Sequence, residues 1–343
     1  MTTSFLSRLI ETALRGLALV VAAALCCSFF GRAVPFFDSL SHFRAHLAVL
    51  LFVLALFLIA MRSIVTATLA AIVAAYAAVS VSPFVVPRPG EAAATGPATD
   101  RASLSRRPLT LLQMNLRYDA DPVPAIATIA RLDPDVVTLQ EMNRRWVEAM
   151  QPLRATYPYG AYCGVGEVVG GVAILSRIPF GAGDAICRAE DGFVSRRLDL
   201  GGKAALTVVS EHLVWPWPYR QGRQVAALGD VLAGLGEPLL IAGDFNAVPW
   251  SATIGRYAAA SKTTAAGGIG PTWLARRLPE ALRPLIGLPI DNILFSKGVR
   301  ILSVARGEAT DSDHLPVLVS FDLPAAAALD VAPARVVDGA ASR

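Results

Sequence analysis

Charge is scarce in this chain: Asp, Glu, Lys and Arg supply only 17% of 343 residues, against 54% hydrophobic side chains. So little charge cannot cover one soluble domain of this size, and much of the apolar excess must sit in membrane. Dense runs of Lys or Arg are missing too, and the net charge is a mild +4. That argues against the long electrostatic track of a nucleic-acid enzyme. Cysteine is limited to four residues, and Cys26 and Cys27 fall in an apolar run. Cys163 and Cys187 bracket an apolar strand, so antiparallel neighbours could join them as a disulfide in an oxidising compartment; two buried thiols are the alternative.

The missing charge is concentrated at the front. No formal charge occurs between Arg15 and Arg32, between Arg44 and Arg62, or between Arg62 and Arg88. Each window approaches or exceeds the roughly 17 to 25 residues that cross a bilayer. Residues 1–87 therefore read as a membrane region with three transmembrane helices, at about 12–31, 45–61 and 64–86. A cleaved signal peptide is the other reading of the first window. Arg8, Arg15 and Arg62 would share one side against Arg32 and Arg44, too small a bias to orient the chain. An odd number of spans places the remainder of the chain across the membrane from the amino terminus. A cytoplasmic amino terminus, as in a bacterial inner membrane, thus implies an extracytoplasmic domain. Residues 88–108, rich in Pro, Gly, Ala, Thr and Ser, read as a flexible linker, and the Ala-rich residues 324–343 as a disordered tail.

Between them, residues 109–323 alternate short apolar runs with helical segments such as Val123 to Arg131 and Tyr219 to Leu235, an α/β or α+β pattern. Several runs end in a polar group. Leu111 to Met114 leads into Asn115, Val136 to Gln140 into Glu141, Leu206 to Ser210 into Glu211-His212, and Leu239 to Ala242 into Gly243-Asp244-Phe245-Asn246. Ile290 opens the strand around Asp291, and Ser312-Asp313-His314-Leu315-Pro316 comes after it. Strands that deliver polar groups to one sheet edge build a site there. Asn115, Glu141 and Asp313 are oxygen donors suited to Mg2+ or Mn2+. His212 and His314 can donate to phosphate or move protons, and Asp244 with Asn246 can orient a water. That is the equipment for metal-assisted hydrolysis of a phosphate ester.

The ordered series Asn115-Leu116-Arg117, Gln140-Glu141, Gly171 to Arg177, His212, Gly243 to Asn246, Ile290 to Leu294 and Ser312 to Pro316 resembles the endonuclease/exonuclease/phosphatase superfamily. The resemblance implies a four-layer sandwich of two facing mixed β-sheets flanked by helices. It implies Glu141 as the main metal ligand supported by Asn115 and Asp313, Asp244 as the group that activates water, and Asn246 as the one that holds the scissile phosphate. His212 and His314 would contact phosphoryl oxygens, His314 being kept cationic by Asp291. Two positions depart from the pattern: Arg117 stands where abasic-site endonucleases carry a further acid, and Asn292 stands where a His or Tyr often comes after the Asp.

The substrate class stays open. Arg177, next to a strand end, is the arginine best placed to bind an anionic oxygen. Trp215, in the run Val214 to Tyr219, and Trp273 could stack on a base, sit at a lipid headgroup, or simply pack. A phosphodiesterase or phosphatase acting on nucleic acid or phospholipid from the bilayer is the expectation. A membrane-anchored binding module that keeps the fold without turnover is the alternative.

Overall fold

The structure, a computed structural model, describes residues 2–86, 107–202, 204–279 and 282–323. Of the expected linker only residues 107 and 108 are described, and the expected tail lies outside the described residues.

Four helices come first: α1 (Thr2–Cys27), α2 (Pro35–Ser41), α3 (Arg44–Ala60) and α4 (Ile64–Val85). α1, α3 and α4 bury a seam of small and branched side chains, including Ala18, Leu25, Leu51, Leu58, Ala70 and Ala77. Their outer faces are apolar as well, with Val20, Phe52, Val65 and Val79 exposed. Two of them, over Phe5–Cys27 and Ile64–Val85, are long and apolar enough to cross a membrane. The expected middle span is different. α3 alone is 17 residues, and it reaches spanning length only together with α2, from which it bends by 67°. The bend has a cause: Arg44, buried, donates to the Ser28 carbonyl at 2.6 Å and lies over the Phe29 ring, which fixes the start of α3 against the end of α1. α1 also begins and ends earlier than expected, because nothing breaks the helix before Gly16 and the Glu11–Arg15 pair four residues apart keeps its charges satisfied.

A sandwich comes next. Its strands are β1 (Leu109–Asn115), β2 (Val136–Gln140), β3 (Tyr159–Cys163), β4 (Val172–Ser176), β5 (Ile186–Arg188), β6 (Phe193–Asp199), β7 (Ala205–His212), β8 (Leu239–Asp244), β9 (Thr264–Ala265), β10 (Asp291–Phe295), β11 (Arg300–Arg306) and β12 (Val317–Asp322). One sheet has the order β11-β12-β1-β2-β4-β3, the other β5-β6-β7-β8-β10-β9. Each is mixed, with a single parallel pair at its centre, β1 with β2 and β7 with β8. The helices α5 (Pro122–Leu132) and α6 (Arg144–Ala149) cover the first sheet, where Leu112, Met114, Ile129 and Trp146 pack. α7 (Gln221–Ala227), α8 (Gly229–Ala233) and α9 (Ala252–Ser261) cover the second, over Val209, Ile241, Phe245 and Tyr257. The expected single helix from Tyr219 to Leu235 is thus two short ones, and Gly222, Gly229 and Gly234 lower its propensity. Local signals set the helix ends: Asp121, Asn143 and Ser251 each cap a helix through a backbone amide two or three residues on.

Between the sheets, alternate residues of the central strands face inward. That inward row changes character along each strand. Leu109 and Leu111 give way to Gln113 and Asn115, Val136 to Thr138 and Gln140, and Val208 to Ser210 and His212. The apolar end closes the core, and the polar end opens on the site. Cys163 and Cys187 are joined, but not as neighbours in one sheet. They tie the edge strand β3 of the first sheet to the edge strand β5 of the second, with Cα atoms 5.6 Å apart.

The helical bundle docks on this sandwich. Asp38 of α2 accepts from the amides of Ala252 and Thr253 at 2.6 and 3.0 Å, at the start of α9. Trp250 Nε1 donates to the Ser41 carbonyl at 2.7 Å, and the backbone amides of Gly268 and Gly270 donate to Pro83 and Phe84. All of these contacts involve the end of the bundle where α1 finishes, α3 starts and α4 finishes. At the opposite end Arg15 meets Ser63, in the turn between α3 and α4.

Candidate active site

The polar ends of the strands converge on one cleft of ≈ 650 Å³, lined among others by Arg117, Glu141, His212, Asp244, Asn246, Asp313 and His314. Parallel pairing places Asn115 level with Gln140, just before Glu141, in the first sheet, and His212 level with Asp244 in the second. Asn115 joins the two halves: its Nδ2 donates to Glu141 Oε1 at 3.1 Å and to Asp244 Oδ2 at 2.9 Å. Its Oδ1 accepts from the Arg117 amide. Asn115 therefore positions two carboxylates, a supporting place in the site that the resemblance implies for it. Glu141 takes a left-handed backbone, φ 56°, and its second oxygen accepts from the Tyr118 amide at 2.8 Å.

Asp244 is the centre of the site. His212 Nε2 stands 3.7 Å and His314 Nε2 3.6 Å from its Oδ2, while its Oδ1 accepts from the Asn246 amide at 2.8 Å. Burial pushes the Asp244 carboxyl up to about 6, although the neighbouring histidines work against it. Burial alone would lower His314, but Asp291, 2.8 Å from its Nδ1, and Asp244 outweigh it and raise the imidazole to about 10. Burial wins at His212, whose proton affinity is lowered despite Asp244. One imidazole is thus cationic and the other neutral near pH 7.

Asp291 is itself anchored. Its Oδ1 accepts from Gln113 Nε2 at 2.8 Å, its backbone amide donates to Thr272 Oγ1, and Gln113 also donates to Gln140. Gln140 continues across to Ser210 of the second sheet. Asn246, at φ 45°, gives its Nδ2 to the Leu213 carbonyl at 2.8 Å, and its buried Oδ1 has no partner among the described residues. Asn246 as a residue lines the cleft, with this acceptor turned into the interior behind it. Asp313 accepts from Trp273 Nε1 at 3.1 Å, and Trp273 stacks edge-on against Trp215 at 5.8 Å; both indoles line the cleft.

Arg177 is elsewhere. Because β4 runs antiparallel to β2, with Val136 beside Ser176 and Gln140 beside Val172, Arg177 sits at the far end of β2, roughly 15 Å of strand from Glu141. There it pairs with Asp133, donates to the Pro134 carbonyl and lies over the Tyr157 ring. The site has supports that sequence reading passed over. Gln221 Nε2 donates to the carbonyls of Val214, Phe245 and Asn246, and His42, buried at the bundle end, reaches the Asn246 carbonyl through Nε2 at 3.2 Å. A lone His beside an apolar window carries no spacing that signals this contact. Gln113 and Gln140, polar residues at the ends of buried runs, did carry a signal.

Asp244, Asp291 and His314 form a buried group with ligand atoms within 4.8 Å of one another. Its members already bond one another and their neighbours, His314 Nδ1 to Asp291 at 2.8 Å and Asp244 to Asn115 at 2.9 Å. The better fit for a hard divalent cation is the mouth, where the carboxylates of Glu141 and Asp313 line the cleft.

Residues 112–314 match the endonuclease/exonuclease/phosphatase family. The UPF0294 proteins of two Vibrio vulnificus strains are 32% identical over 123 residues, 35% of this chain. That stretch spans 40% of their own length. Among solved structures, an endonuclease/exonuclease/phosphatase from Beutenbergia cavernae shares the fold at 20% identity and a TM-score of 0.51, covering 64% of this chain and 72% of that one. An AP endonuclease from Archaeoglobus fulgidus aligns at 15% identity and a TM-score of 0.49, over 63% of this chain and all of its own. With the sheets paired as that fold requires and the match running from β1 to His314, this chain belongs to the endonuclease/exonuclease/phosphatase family, whose members are phosphoesterase hydrolases generally dependent on a divalent metal.

Proposed function

We propose that the protein is a membrane-tethered phosphoesterase that uses Mg2+ or Mn2+. The observation that carries this reading is Asp244, a buried carboxylate between two imidazoles of unlike charge, facing a cleft that Glu141 and Asp313 also line. A divalent cation held by Glu141 and Asp313, with Asn115 aligning Glu141, would neutralise phosphoryl charge there. The rest falls to the chain. Asp244, with its carboxyl near 6 and its Oδ1 held by the Asn246 amide, accepts a proton from the attacking water. His314, cationic through Asp291, donates from Nε2 to a phosphoryl oxygen as negative charge builds in the transition state. His212, neutral, offers a second imidazole beside the same carboxylate. Trp215 and Trp273 wall one side of the same cleft.

The tether is α1, α3 with α2, and α4. Three passes put the cleft at the end of the bundle away from the amino terminus. An extracytoplasmic catalytic domain is supported by the Cys163–Cys187 link, which persists in oxidising compartments.

The test uses the full chain in detergent micelles with bis(p-nitrophenyl) phosphate, Mg2+ or Mn2+, and chelator. Turnover that needs metal and falls about a thousandfold in Asp244→Asn is expected. Turnover unaffected by that substitution would overturn the assignment, and no turnover by the wild type would favour a binding module of the same fold.

A further inference from the structure

We infer that the mouth of the cleft is a lipid-contact surface and that the substrate is a phosphate ester carried in a bilayer. This deepens the phosphoesterase reading of the same site and rests on it.

Three observations carry it. The first is distance. Asn246 lines the cleft, and its carbonyl is 3.2 Å from His42, two residues before α3 starts. At 1.5 Å per helical residue, the site lies within about one helix diameter of the level where the apolar run of α3 begins.

The second is where the sandwich exposes its large apolar side chains. Among the described residues, Tyr118, Val169, Val214, Trp215 and Tyr219 line the cleft, and Val168 and Trp217 lie on the same segments. Leu282, Leu285 and Ile286 lie on the segment tied through Arg283 to Leu274 beside Trp273, and Val123 and Ile186 lie apart. Tyr219 is 66% exposed and Leu285 70%. A folded surface scatters such residues singly, whereas an apolar patch gathered at one mouth marks a contact.

The third identifies what makes the contact. The patch is continuous with the helical bundle. The Trp217 ring packs edge-on against Phe36 of α2 at 5.1 Å, and Ser39 Oγ donates to the Trp217 carbonyl at 3.0 Å. On the other flank, the Leu285 carbonyl faces the imidazole of His46, inside the first turn of α3. The short helix α10 (Arg283–Ile286) therefore stands beside α3 with Leu285 and Ile286 uncovered. Whatever surrounds the exposed faces of α1, α3 and α4 also meets these residues. A bilayer fits: Trp and Tyr with Arg220 and Arg223 nearby suit the headgroup level, and Leu285 and Ile286 suit the acyl boundary. A phosphate presented from that surface reaches the cleft without leaving the interface.

The sequence makes the contact measurable, because none of its five Trp residues lies in the helical bundle. The full chain is reconstituted into vesicles of phosphatidylcholine, phosphatidylglycerol and phosphatidic acid, part of the phosphatidylcholine being brominated. Bromine is expected to quench tryptophan emission, and Trp217→Phe to remove a measurable share of that quenching. Equal quenching in both would overturn the contact surface. Hydrolysis is then monitored on the vesicle lipids, on a single-stranded oligonucleotide and on bis(p-nitrophenyl) phosphate. The double variant Leu285→Asp, Ile286→Asp is expected to lose about tenfold on vesicle lipid while keeping its rate on the soluble diester within about twofold. Turnover of the soluble diester with vesicle lipid untouched, or an oligonucleotide preferred over lipid, would overturn the inference alone. Failure to turn over the soluble diester would instead remove the phosphoesterase reading on which it rests.

Discussion

In the first sheet the parallel pair β1 and β2 ends in Asn115 and Glu141, and in the second the pair β7 and β8 ends in His212 and Asp244. The layout is matched, but the chemistry is not. The first sheet supplies an amide and a carboxylate at the mouth, groups of the kind suited to aligning and holding a cation. The second supplies an imidazole and a buried carboxylate raised to about 6, groups that move protons. The antiparallel neighbours carry the connection: β10 starts with Asp291 in the second sheet, and His314, just before β12 of the first, bonds to it. The difference teaches that neither sheet holds the whole candidate site, and that the dyad is one of several bonds joining the halves across the gap.

After loss of Asp244 itself, breaking that dyad has the largest expected effect. Asp291→Asn keeps the shape but removes the charge that holds His314 near 10, so the imidazole loses its proton at lower pH. Activity in the wild type is expected to rise through about pH 6 as Asp244 ionises and to hold until His314 deprotonates near 10. In Asp291→Asn the alkaline limb should move down by at least about one unit, with kcat lower by about a hundredfold or more. A pH–rate profile checks both, and an unmoved alkaline limb would break the dyad account.

Glu141→Gln sharpens the contrast between sheets. It should raise the Mg2+ concentration needed for half-maximal rate by about tenfold or more, while the pH profile keeps its acid limb. A metal titration at fixed pH separates this from a loss on the proton-moving side.

A third variant comes from outside both sheets. His42→Ala should cut kcat by about tenfold with KM little changed, because the Asn246 loop loses a support that touches no substrate. Partial recovery in His42→Gln, which can still donate to the Asn246 carbonyl, distinguishes positioning from general loosening.

The smallest effect is expected at Arg177→Ala, with turnover within about twofold of wild type, since Arg177 pairs with Asp133 at the closed end of the sandwich. A larger loss would mean that the two ends of the first sheet are coupled.

Most of the sandwich was legible because runs such as Leu239 to Ala242 end abruptly in polar residues, and a strand buried on both faces has no other reason to do so. Asp313-His314 and Asp291 could be paired only through the family resemblance, since no local periodicity brings residues of different sheets together. Arg177 misled because adjacency to a strand end says nothing about which end; the antiparallel pairing of β4 reverses it. The bridging place of Asn115 was hidden for a similar reason: residue type does not reveal that one amide bonds Glu141 and Asp244, carboxylates from different sheets. His42 and Asp38 lay in the loop between two expected spans, where a docking contact with a distant loop leaves no pattern in the sequence.

The inward row of the sandwich, apolar at one end and polar at the other, has an electrical consequence. Field lines from Asp244, Asp291 and His314 cannot spread downward into Leu111, Val136, Val208 and Leu240, which form a layer of low permittivity beneath them. Counter-ions reach these charges from the mouth alone. Ionic strength should therefore leave the His314–Asp291 pair almost untouched while weakening the pull of Arg220 and Arg223 on an approaching anion, so salt should act on substrate capture and spare the chemical step.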